Sequence, residues 1–105
     1  MMSSNEERIA INTIRKTIPR PALYEQLAEE CAELAQASLK MARILRNENK
    51  TPVTIDEARE NIKEEYTDII LCAETLGIVP SGDIMTSKIR RWVARNTAVD
   101  INEGA

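Results

Sequence analysis

Histidine is absent from this 105-residue sequence, and glycine (three), proline (four) and cysteine (two) are scarce. Without histidine, zinc sites built on His and Cys, haem ligation by His, and Ser-His-Asp or Cys-His catalysis are all excluded. Cys31 and Cys72 stand apart inside helix-like segments, and neither belongs to a C-x-x-C pair. The shortage of Gly and Pro, with apolar residues that are mostly Ile, Leu and Ala, favours long helices over a turn-rich sheet. Tyr24, Tyr66 and Trp92 are the only aromatic residues, which limits what could stack on a base. No apolar run approaches a membrane span, and no secretion-type apolar core follows the charged start MMSSNEERIA. The cytoplasm is therefore the expected compartment. The net charge of −3 offers no overall attraction to nucleic acid or to an anionic membrane. With the other classes removed, the carboxylates carry whatever chemistry there is.

The length suits one domain spanning residues 1–105, with 1–3 and 97–105 expected to be flexible. A core of this size is modest, so pairing with a second copy is a natural way to bury more surface. Four helices are predicted, over 4–18, 21–46, 55–76 and 83–95. Ser4 with Glu7 and Thr54 with Glu57 form capping-box patterns at the first and third starts. Pro19 ends the first helix, Pro21 suits the opening turn of the second, and Gly77 stops the third. Ser81 or Asp83 caps the fourth, and the polar stretch from Asn47 to Pro52 connects the second to the third.

The second and third helices carry the same apolar pattern. Leu27, Cys31, Leu34, Ser38, Met41 and Leu45 recur at alternating four- and three-residue spacing. Ile55, Ala58, Ile62, Tyr66, Ile69, Ala73 and Leu76 do likewise. Such stripes read as core-facing seams of a bundle. They superpose at an offset of 35 residues, which sets Glu30 on Glu65 and Glu33 on Asp68. At about 100° per residue, the first acid of each pair is expected roughly 60° from its seam and the second roughly 120°. Both pairs then flank the packed face and can turn towards one space. Hard carboxylate oxygens in such a cluster suit Mg²⁺. The competing reading makes each pair the wet edge of an amphipathic helix, and the matching register of two pairs argues against it.

At these residues the sequence resembles a known family. YEQLAEECAELAQA followed by IKEEYTDIILCAETLGI is similar to the signature of the MazG-like, all-α nucleoside triphosphate pyrophosphohydrolases, related to dimeric dUTPases and dCTP pyrophosphatases. The family motif, E-x-x-E and then E-x-x-D on two helices, reads here as Glu30, Glu33, Glu65 and Asp68. The resemblance covers roughly residues 23–77. It implies a four-helix, bundle-like MazG fold assembled as a homodimer or homotetramer. It also implies cleavage of an NTP or dNTP between the α and β phosphates, with Mg²⁺, or Mn²⁺ in its place, held by those four acids. Glu29 resembles the extra acid that orients or deprotonates the attacking water in some relatives, or else is a solvent-facing residue. The spacer between the two pairs is long, and the segment KIRRWVARN matches no one subfamily's substrate motif.

The window 81–96 holds Lys88, Arg90, Arg91 and Arg95 against Asp83, a local charge of +3. Lys88, Arg91 and Arg95 share one face, where they could meet phosphates or simply pair with acids. Trp92 and Tyr24 are candidates for a nucleobase wall, with packing the plainer role. Tyr66, Met41, Met85 and Cys31 read as core. A second class of function is a non-enzymatic module that docks its basic fourth helix on DNA or a protein. The acidic total charge and the lack of helix-turn-helix spacing speak against nucleic acid.

Overall fold

The computed structural model describes residues 2–48 and 53–97, which form four helices and no strand. They are α1 (Ser4–Thr17), α2 (Arg20–Leu45), α3 (Ile55–Thr75) and α4 (Gly82–Asn96). The all-α class and the four helices are as expected. Residues 49–52 and 98–105, which include part of the expected connection and nearly all of the expected flexible tail, lie outside the described residues.

Local chemistry sets the ends. The cap of α1 is Ser3 rather than Ser4; its hydroxyl accepts the Glu6 N–H at 3.2 Å. Thr54 accepts the Glu57 N–H at 3.1 Å, and Ser81 accepts that of Ile84 at 3.3 Å. Helices α2 and α3 both close in Schellman motifs. Asn47 (φ 58°) and Gly77 (φ 73°) take the left-handed position. Behind them, Glu48 N–H reaches Arg43 O at 2.9 Å and Ile78 N–H reaches Ala73 O at 2.8 Å.

Packing is concentrated between α2 and α3, which lie against each other as an antiparallel hairpin, while α1 leans on α3. Arg15 of α1 ties that junction. Its Nε donates to Thr75 O at 2.8 Å and its Nη2 to Glu74 O at 2.7 Å. These are last-turn carbonyls of a helix that has no basic residue of its own there, so a cation from outside satisfies them and complements the helix dipole. Helix α4 buries no residue and has at most marginal contact with the other three. Among the described residues no helix is long and apolar enough to cross a membrane.

The seam differs from the expected one. Leu23, Leu27, Glu30, Leu34, Ala37, Met41 and Ile44 are the buried or half-buried line of α2. Ala58, Ile62, Glu65, Ile69, Cys72 and Leu76 are that of α3. The offset of 35 residues holds for every pair from Leu23 and Ala58 to Met41 and Leu76. Both stripes are turned towards the acids, so Cys31, Ser38, Leu45, Ile55 and Tyr66 face out instead of in, with Tyr66 55% exposed. Met85, expected in the core, is exposed on α4. The physical reason is simple. An apolar pattern assigns a seam place to Cys31 ahead of the charged Glu30, yet the helices close on the line that contains Glu30.

Candidate metal centre

Because Glu30 and Glu65 occupy seam positions, they meet across the α2–α3 contact rather than beside it. Glu33 and Asp68 follow one turn later on each helix. One carboxylate oxygen from each of the four lies within 4.8 Å of the others. The antiparallel pairing sets Glu30 against Asp68 and Glu33 against Glu65. The exchange that carries Glu30 to Glu65 and Glu33 to Asp68 swaps these two contacts, so the centre has local two-fold character.

The electrostatics are those of crowded acids. The Gln26 amide donates to Glu30 Oε1 at 2.6 Å, which lowers the Glu30 carboxyl. Burial and the charges of Glu33 and Asp68 outweigh that bond and leave Glu30 above the ordinary glutamate value. Glu33 is also raised, chiefly by its hydrogen bond with Glu65, then by the Glu65 charge and by desolvation. Two carboxylates in hydrogen-bond contact must share a proton or a cation. One turn on from Asp68, burial and then the charges of Glu30 and Asp68 push the Cys72 thiol up, so it is a packing group rather than a nucleophile.

The donor set fits a divalent ion. Glu30 Oε2 and Glu65 Oε2 are buried and have no hydrogen-bond partner among the described residues. A buried carboxylate oxygen without a partner is costly, and a hard cation is what four converging oxygens accept. Glu30, Glu33, Glu65 and Asp68 would hold it.

The other expected residues lie elsewhere. Glu29 is exposed, outside the carboxylate cluster. Tyr24 is exposed near the start of α2. Lys88, Arg91, Arg95 and Trp92 are exposed on α4, and a single chain does not bring them to the acids. Trp92 is 63% exposed, with the Arg95 guanidinium 5.9 Å from its ring centre.

Two features were not anticipated. Arg15 looks like any exposed arginine of an amphipathic helix; the missing basic residue in the last turn of α3 was the available signal. Lys40 and Arg43 lie beyond Glu33 on α2 and line a groove with it. Compared with family models, with curated proteins and with solved structures, the chain finds no match in any of the three.

Proposed function

We propose that this chain is a Mg²⁺-dependent nucleoside triphosphate pyrophosphohydrolase of the MazG-like kind, working in the cytoplasm on an NTP or dNTP. The observation that carries this reading is the convergence of four carboxylates within 4.8 Å, two of them with a buried, unpartnered oxygen. A bound Mg²⁺ supplies polarisation of phosphate oxygens and a water made acidic enough to attack near neutral pH. Glu30, Glu33, Glu65 and Asp68 would hold the ion at the α2–α3 contact. Glu29, next to Glu30 in sequence though outside the carboxylate cluster, would be the residue to orient or deprotonate the attacking water. No histidine is needed for this chemistry, and none is present.

The acting form in this reading is a homodimer or homotetramer. Helix α4 buries no residue and leaves its apolar side chains uncovered. Ile84, Ile89, Trp92 and Val93 of α4, together with Ile70, Leu71 and Val79, are the apolar side chains a subunit interface would cover.

The test is release of pyrophosphate from a panel of common and damaged nucleotides, with Mg²⁺ and with chelator. Turnover of at least one nucleotide, abolished by chelator and by Glu30→Gln or Asp68→Asn with helicity intact, is the expected result. Glu29→Gln should slow turnover while Mg²⁺ affinity is kept. A silent panel rejects the enzyme.

One observation favours a second reading. Helix α4 stands apart with its basic and apolar side chains exposed, as a helix that docks on DNA or a partner protein would. DNA binding that weakens steeply with salt, without metal-dependent turnover, would support it.

A further inference from the structure

The acids of the metal centre are also one end of a groove. Glu33 and Glu65 line an open cleft of about 580 Å³ on the α2–α3 hairpin, together with Gln36, Lys40, Arg43 and Asn61. On α2, Lys40 stands seven residues beyond Glu33, about 10 Å along the axis and on nearly the same side. Arg43 stands one turn further. Side chains of a helix lean towards its N-terminus, so both cations lean back towards the acidic end. Gln36, on α2 between Glu33 and Lys40, and Asn61, on α3, add neutral amide donors to the lining. Lys40 is half-buried. Among the described residues neither Lys40 nor Arg43 forms an ion pair. The groove thus changes sign along its length, from a carboxylate end suited to a divalent ion to a cationic end suited to an anion.

We propose that this groove is the subsite for the distal phosphates of the nucleotide, with Lys40 and Arg43 as their direct contacts. The proposal rests on the metal-dependent hydrolase reading and deepens it. A ligand that satisfies both ends must carry a divalent ion at one point and further negative charge beside it, as a metal-chelated polyphosphate does. The guanidinium of Arg43 can meet two phosphate oxygens at once, and the Lys40 ammonium supplies a point charge nearer the metal. The α4 cations, remote from the acids within one chain, are not needed for this contact.

The experiment uses inorganic tripolyphosphate and MgCl₂ with the full chain, read by calorimetry. Wild type should bind tripolyphosphate only when Mg²⁺ is present. In Lys40→Gln and Arg43→Gln, tripolyphosphate affinity should fall about ten- to hundred-fold each, the worth of one charge-assisted contact. Mg²⁺ binding without phosphate should be unchanged, and helicity by circular dichroism kept. If wild type binds tripolyphosphate and both variants bind it equally well, the subsite is overturned and the hydrolase reading stands. If the loss falls on Lys88→Gln and Arg91→Gln instead, the phosphates belong to α4 and the subsite is again overturned. If wild type binds no tripolyphosphate with Mg²⁺, both the subsite and the reading beneath it fall.

Discussion

Replacing Glu65 with glutamine should have opposite effects with and without a divalent ion. In the metal-free chain, Glu65 Oε2 is buried without a partner, and the other side of the group faces Glu33. Glutamine has the same shape, lacks the charge, and its amide can donate to the Glu33 carboxylate. A hydrogen bond to the Glu33 carboxylate in place of a contact between two acids is worth about 1.5–3 kcal/mol. At roughly 4–8 °C per kcal/mol for a domain near this size, the metal-free variant should melt about 4 °C or more above wild type. Mg²⁺ at one thousand times its Kd should raise wild type by about 4.1 kcal/mol and the variant much less, so the order of the two Tm values reverses. The assay is a thermal melt followed by circular dichroism, with chelator and across a Mg²⁺ titration. A variant less stable than wild type in chelator, or one that gains as much from Mg²⁺, would refute the reasoning. In either case the buried oxygen is not awaiting a cation.

Titration of the same acids and loss of the α1 anchor give two further outcomes. Glu30 and Glu33 are raised in the folded chain, so their contribution to stability is complete below the unfolded glutamate value, about 4.3, and is lost as pH rises through their folded values. The metal-free protein should therefore lose stability on going from acid to neutral pH, and Mg²⁺ should flatten that slope; melts at several pH values with and without chelator measure both. Arg15→Ala removes two charge-assisted bonds to the α3 carbonyls and should cost about 1.5–3 kcal/mol in denaturant unfolding, with turnover per folded molecule kept.

Much of this molecule was legible in its residues, for identifiable reasons. Thr54, Ser81, Asn47 and Gly77 act through local backbone chemistry, which is why helix limits fall within a residue of expectation. The offset of 35 residues survives because it follows from repetition along two helices and does not depend on which face is buried. The buried face itself was missed by part of a turn. Polarity rules keep carboxylates out of a seam, and at Glu30 and Glu65 that rule fails. The face of α4 misled differently. Ile84, Ile89, Trp92 and Val93 have the spacing of a packed helix, but nothing in a single sequence says whether their partner belongs to the same chain.

The position of the acids within the seam explains how so small a chain can gather four carboxylates at one place. Four carboxylates on the rim of a bundle would each be oriented by solvent, and nothing would hold them together. Set in the seam, Glu30 and Glu65 take their orientation from Leu27, Leu34, Ile62 and Ile69, which pack one turn to either side of them. The cost is borne by the metal-free fold, whose hairpin closes over oxygens that lack partners. The same geometry distributes the work along α2. Its seam face holds the acids, and the adjoining flank carries Lys40 and Arg43 along the groove. In the proposed reading, metal and phosphate contacts would depend on one helix keeping one register, which the antiparallel α3 packed along it fixes.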